Sequence, residues 1–203
     1  MCDSGVTGVI LAGGMSRRLG RNKALELIGG QRLIERVIER VGSVVDRVLV
    51  VVNDDKRARE LKLPGHVETA VDEYPDTGSL GGIYTGLAAA STPWILIVGC
   101  DMPFLNKSLM SHLLNNRLDT DVVVPMLDGR PEPTHAAYSK VCLPFIQRKI
   151  QTNRLKISGF FDDVTVNSIP QADVERLDPE RLSFFNVNTQ ADLDRANHHA
   201  NAH

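Results

Sequence analysis

Short β-branched runs alternate with helical periodicities along most of the chain. Val6, Val9, Ile10 and Leu11 are too continuously apolar for a strand with one wet face, so Val6 to Leu11 predicts a strand buried on both sides. Arg47 to Val52, Val67 to Val71, Trp94 to Val98 and Val122 to Val124 predict four more. Between them, Ile34, Val37, Ile38 and Val41 fall at i, i+3, i+4 and i+7, with Glu35, Arg36, Glu39 and Arg40 left for water. Ile83 to Ala90 predicts a compact Ala-rich helix, and Leu109, Leu113 and Leu114 another. Strands alternating with helices make βαβ units with right-handed crossovers. The expected class is α/β: a single-domain, three-layer α/β/α nucleotide-binding (Rossmann-like) fold with a mainly parallel sheet.

After Pro125 the pattern loosens. Asp128-Gly129 is a hairpin signal, and 134–138 and 164–169 predict further strands. Thr189 and Asp192 resemble a capping box, so the last helix is expected to start at Thr189. No repeat or Pro/Ser-rich linker divides the chain. The whole of 1–203 is therefore one domain, with a nucleotide-binding part at about 6–125 and an acceptor-binding part at about 126–196. Residues 197–203 are expected to fray; their three histidines, His198, His199 and His203, offer metal ligands, but a mobile polar end is the plainer reading.

With 203 residues, 23 Lys plus Arg and 25 Asp plus Glu, the formal net charge is −2. That balance argues against a general nucleic-acid surface. The apolar runs are far shorter than the ~18 residues of a membrane helix. Cys2, Cys100 and Cys142 lack metal or disulfide spacing, so a reducing, cytoplasmic setting is expected.

In an open parallel sheet, ligands sit outside the carboxyl ends of the strands where strand order switches. The segments to inspect are therefore 12–23, 53–55, 72–82 and 99–103. The first, Leu11-Ala12-Gly13-Gly14-Met15-Ser16-Arg17-Arg18-Leu19-Gly20-Arg21-Asn22-Lys23, follows the first strand directly. Its glycine pair lets backbone N–H groups approach phosphate oxygens. Arg17, Arg18, Arg21 and Lys23 put four positive charges within seven residues, with no acid among them. The spacing fits neither a P-loop nor a G-x-G-x-x-G fingerprint. A glycine turn with a solvated basic rim is the bland alternative.

Asp101, in Gly99-Cys100-Asp101-Met102-Pro103-Phe104, is a hard oxygen ligand at a strand end, suited to Mg²⁺ that also binds substrate phosphates; as a lone residue it could equally cap a turn. Asp72 opens another glycine-bearing loop, Asp72 to Gly82, readable as nucleotide contact or as an acidic surface loop. Asn53 could bind a base or ribose, or form a turn. Asn186 and Asn188 share a face if extended, able to bind substrate or metal or to cap the last helix. His135 could donate to a substrate, although a satisfied, semi-buried histidine is at least as good a reading. No nucleophilic triad has recognisable local context, so no covalent intermediate is expected.

The form L-A-G-G-x-S-x-R-x-G-x-x-K at Leu11 to Lys23 resembles the signature of the superfamily that includes sugar-phosphate and molybdopterin nucleotidyltransferases. With Gly78-Ser79-Leu80-Gly81-Gly82-Ile83, Asp101-Met102-Pro103-Phe104 and Asn186-Val187-Asn188-Thr189, the chain resembles the molybdenum cofactor guanylyltransferases from about residue 6 to about residue 196. Ser79 stands where Pro is common and Leu19 where Met is common. The resemblance implies transfer of GMP from GTP to molybdopterin, with Mg²⁺ on Asp101. It implies GTP contacts at Leu11, Ala12, Gly13, Lys23, Asn53, Asp72 and Asp101, and acceptor binding by Asn186 and Asn188; Gly14, in the same glycine pair, is expected among the nucleotide contacts, and the pairing of the cationic loop with the strand-end Asp101 makes Arg18 and Lys23 the expected stabilisers of the transition state. GTP and molybdopterin are then the small-molecule partners, with molybdoenzyme apoproteins or their chaperones beyond them and no membrane or nucleic acid. Gly13 favours guanine, because cytidylyl relatives typically carry L-A-A-G there and the absent methyl could leave room for a purine. A molybdopterin cytidylyltransferase or another small nucleotidyltransferase is the nearest alternative. A non-catalytic cofactor-binding module is the other, against which Lys23 and Asp101 argue.

Overall fold

A computed structural model describes residues 5–13 and 22–202. The chain runs β1 (Val6–Leu11), a hairpin of β2 (Leu27–Ile28) and β3 (Gln31–Arg32), α1 (Leu33–Gly42), β4 (Arg47–Val52), α2 (Asp55–Leu61) and β5 (Glu68–Val71). It continues through α3 (Ser79–Ala89), β6 (Trp94–Gly99), α4 (Lys107–Asn115), β7 (Val122–Leu127), β8 (Arg130–Pro131) and β9 (Ala136–Ser139). Then come α5 (Leu143–Gln151), β10 (Val166–Ile169), α6 (Gln171–Leu177) and α7 (Gln190–Ala202).

The main sheet has the order β10-β7-β9-β6-β1-β4-β5, with β8 paired to β7. Along that path every ladder is parallel except the two made by β9. Side chains alternate between two cores. Val6, Ile10, Val48 and Val50 face a layer that includes Val37 of α1, Leu109 of α4 and Leu193 of α7. Val9, Leu49 and Val51 face Ile83 of α3 and Ile146 of α5. This is the expected three-layer α/β/α arrangement. The α3 layer lies close on β1 because glycines face the strand: a Cβ at Gly86 would sit 2.6 Å from Val9 Cγ1.

The switch in strand order falls between β1 and β6. From β1 the chain moves outward through β4 to β5, then returns to place β6 on the other side. The segments following β1 and β6 therefore leave the same carboxyl edge next to each other.

The looser second half differs from expectation in three places. The predicted strand over 134–138 is β9, beginning at Ala136; residues 132–135 form a turn closed by His135 N–H to Glu132 O (3.1 Å), where Pro131 and Pro133 have no N–H to give a ladder. Helix α5 was hidden by a short stripe, Leu143, Ile146 and Ile150, with a proline in its first turn. The tail expected to fray is helical from 197 to 202: the Asn197 amide accepts from Gly29 N–H (3.0 Å) and donates to Leu27 O (3.2 Å), and the His199 ring packs on Phe104. The hairpin at Asp128-Gly129 is as expected, both residues having positive φ (49° and 74°).

Candidate active site

Asn22 caps the short 3₁₀ turn Lys23–Leu25 through its side chain, which fixes where Lys23 leaves the first segment. From there the Lys23 ammonium donates to Asp101 Oδ2 (2.7 Å) and to Asn188 Oδ1 (3.0 Å). Lys23 and Asp101 are largely enclosed, with side chains 12% and 20% exposed, so the pair is better shielded than an ordinary surface ion pair.

The segment carrying Asn188 is tied in by backbone as well. Val187 N–H donates to Asp101 O (2.9 Å). Asp192 then accepts from the N–H groups of Asn188 and Thr189, and Thr189 Oγ accepts from Asp192 N–H. This is the capping box expected from the sequence. The hydrogen bonds from Thr189, first among them, hold the Asp192 carboxyl below its ordinary range. The Asn186 amide donates to Phe184 O (3.0 Å) in its own turn.

On the other side of β1, Asn53 follows β4 and lies against Gly13: a Cβ at Gly13 would stand 2.1 Å from Asn53 Oδ1. The space left by the missing methyl is thus occupied by the Asn53 amide. Asp72, after β5, has one carboxylate oxygen committed; Oδ1 accepts from Tyr74 N–H and Thr85 O–H, each 3.0 Å. The Thr85 hydroxyl in turn accepts from Glu73 N–H. Gly78 (φ +66°) opens α3 without any side-chain cap, leaving first-turn N–H groups to water or a ligand. The support for Asp72 was not read from the sequence, although a lone threonine in the Ala/Gly/Leu run of α3 was a signal for it.

Leu11 and Ala12 continue the ladder edge beneath these side chains: Ala12 N–H donates to Val51 O, and Leu11 O accepts from Cys100 N–H. The expectations at Gly14 and Arg18 lie outside the described residues. The Cys100 thiol is pushed up to about 12 by burial, reinforced by the Asp101 charge, so it is no nucleophile. His135 differs from both of its sequence readings. It is fully buried, and neither ring nitrogen has a hydrogen-bond partner. Burial lowers its pKa to about 4, outweighing the opposing pull of the Asp178 charge and the Ser183 backbone. A ring so enclosed and neutral does not reach a substrate as a proton donor.

Among the described residues no three His, Cys, Asp or Glu side chains cluster to cage a metal. Asp101 alone fits a cation such as Mg²⁺, which uses one or two carboxylates and completes its shell with water and substrate phosphates. Among the described residues no helix is long and apolar enough to cross a membrane.

A parallel α/β sheet with a lysine–carboxylate pair at its switch point and an uncapped helix start beside it defines a nucleotide-binding enzyme of the group-transfer kind. The chain belongs to the MobA-like NTP transferase domain family, which matches residues 8–167, and it is a nucleotidyltransferase. It is 36% identical over 193 residues to a molybdenum cofactor guanylyltransferase of Desulfosudis oleivorans, covering 94% of each chain. It is 34% identical to a probable molybdenum cofactor guanylyltransferase of Pelotomaculum thermopropionicum, covering 94% of this chain and 91% of the relative. Its fold matches the crystal structure of molybdopterin-guanine dinucleotide biosynthesis protein A from Archaeoglobus fulgidus with a TM-score of 0.85 and 29% identity, over 97% of this chain and 100% of that one.

Proposed function

We propose that the protein transfers GMP from GTP to molybdopterin, forming molybdopterin guanine dinucleotide and pyrophosphate. The observation that carries this reading is the Lys23–Asp101–Asn188 knot at the carboxyl edge, where three distant segments converge. In-line attack by the acceptor's terminal phosphate oxygen forms a bond to the α-phosphorus of GTP. The bond from that phosphorus to the bridging oxygen breaks, and pyrophosphate leaves with the electron pair. An ionised phosphate needs no general base.

Rate then comes from positioning and charge. Lys23, with Arg18, stabilises charge on the phosphates. The backbone of Leu11, Ala12, Gly13 and Gly14 cradles them, and Asn53 and Asp72 hold the nucleoside. Asn186 and Asn188, in the acceptor part at about 126–196, line the acceptor's approach. Asp101 would hold Mg²⁺, which on binding neutralises and orients the triphosphate. A nucleoside triphosphate substrate and the buried free thiols of Cys100 and Cys142 suit a cytoplasmic setting.

The test is pyrophosphate release with molybdopterin and Mg²⁺, comparing GTP, CTP and UTP. GTP is expected to dominate, and Asp101→Ala to abolish turnover while melting as a folded protein. Preference for CTP, or near-normal Mg²⁺-dependent rates in Asp101→Ala, overturns the proposal.

A further inference from the structure

The turn 132–135 carries two polar side chains without partners. One is His135, described above. The other is Glu132, a half-buried carboxylate with no ion pair and no hydrogen-bond donor among the described residues. Burial, reinforced by the Asp128 charge, raises its pKa above the ordinary value. Withdrawing a carboxylate even partly from water without a protein partner is costly. Elsewhere comparable carboxylates are matched: Asp121 by Thr165 N–H, Asp178 by two N–H groups, Asp163 by Arg148 and Lys149.

The turn is nonetheless well fixed. Glu132 N–H donates to Pro125 O (2.9 Å), His135 N–H donates to Glu132 O, and the Tyr138 hydroxyl donates to Pro133 O (2.7 Å). A firmly held turn that keeps a carboxylate unmatched is built to receive donors from outside. Its place says which donors. Glu132 is hydrogen-bonded at the end of β7, and β7 lies two ladders from β6 across β9, a lateral step of about 10 Å along the carboxyl edge. This is the side of Asp101 opposite β1, β4 and β5, where Gly13, Asn53 and Asp72 cluster.

We propose that Glu132 binds the acceptor, its two carboxylate oxygens accepting from the adjacent N–H donors of a 2-amino-4-oxopyrimidine edge. A pterin presents that edge, N3–H beside the 2-amino group, and the planar pair of donors matches a carboxylate in bidentate geometry. Guanine presents the same edge, but the nucleoside side of the crevice lies beyond β6. The inference rests on molybdopterin being the acceptor.

The experiment is a kinetic comparison of wild type and Glu132→Gln with molybdopterin, GTP and ITP, which lacks the 2-amino group. The glutamine keeps the shape and replaces one acceptor oxygen by a donor. The acceptor KM is expected to rise about 10- to 100-fold, the loss of a charge-assisted hydrogen bond to a buried partner. The GTP KM and the GTP-to-ITP preference should stay within about twofold, and Glu132→Asp should recover part of the acceptor affinity. The thermal midpoint of Glu132→Gln should equal or exceed that of wild type, since a half-buried charge is removed. An unchanged acceptor KM overturns the inference, as does a rise carried by the GTP KM with loss of discrimination against ITP. If wild-type protein makes no guanine dinucleotide from GTP and molybdopterin, the reading of the reaction itself fails, and this is seen before any variant is compared.

Discussion

Replacing His135 by phenylalanine should stabilise the protein, increasingly so as the solution becomes acidic. The ring is fully buried against Phe184, with centroids 5.0 Å apart, and neither nitrogen is satisfied. Phenylalanine keeps the ring contact and removes two unmatched polar atoms, each of which costs roughly 1–3 kcal/mol when buried. Protonation adds a second effect. The folded-state pKa is about 4 against an ordinary 6.5. A group depressed in this way is taken up by protons in the unfolded chain first. Its folded state is therefore unpenalised above pH 6.5 and loses stability as the pH falls from 6.5 through 4. Over the whole range the loss is about 3 kcal/mol, and between about pH 7.5 and pH 5 it is about 2 kcal/mol. Urea unfolding of wild type and His135→Phe at several pH values reads this directly. Titrating groups remote from residue 135 cancel in the difference. The difference should be flat above neutrality and widen by about 2 kcal/mol towards pH 5. A difference that stays flat throughout refutes the reasoning, because the buried neutral imidazole is then not what the acid transition sees.

Other expectations concern the site. Gly13→Ala should push the Asn53 amide out of its place, raising the GTP KM about 5- to 10-fold with little change in melting temperature, since the displaced atoms end an exposed side chain. Asn53→Ala should have a similar effect, and the double variant should be no worse than either single one; additive losses would show that the two residues act separately. Asn188→Ala removes one of the acceptors from Lys23 but leaves Asp101, so kcat should fall about 5- to 10-fold with the GTP KM nearly unchanged, whereas an unaltered kcat would mean that Asp101 alone orients the lysine. Burial pushes Cys100 and Cys142 up to about 12 each. Both should resist alkylation at about pH 8 in the native protein and react on unfolding; prompt native labelling of either would contradict the packing around it.

The first half of the fold was legible because β1, β4 and β6 are buried on both faces, so that continuous apolar runs such as Val48 to Val52 have few other readings. The switch point followed from topology rules, and with it the prominence of Lys23 and Asp101. The second half was less readable because β9 is short and flanked by prolines, while α5 presents a sparse stripe. Partnerships were the hardest to foresee. Asn186 and Asn188 look equivalent two residues apart, yet one folds back on Phe184 O and the other meets Lys23; local sequence carries no trace of a lysine 165 residues away. The absence of a partner was equally invisible, since nothing in Pro131-Glu132-Pro133-Thr134-His135 says that two polar groups will be left unmatched.

The segment after residue 182 is part of the site and not an appendage to it. Val187 and Asn188 touch Asp101 and Lys23 directly, while Asn197, two to three turns further along α7, holds the hairpin that follows Lys23. The 187–188 segment and α7 behind it thus grip the lysine's segment at two points, with the Thr189–Asp192 cap fixing the register of that grip. Just outside the two anchors, Phe185 on one side and His199 on the other pack against Phe104, the residue that ends the Asp101 motif. Each of the two charged groups is therefore positioned by a backbone or amide contact from the same C-terminal element. Lys23 reaches across the crevice on a long flexible stem. Ordering that stem costs up to about 2 kcal/mol of side-chain entropy. Sharing it between two acceptors spreads that cost, so the ammonium stands ready before nucleotide arrives.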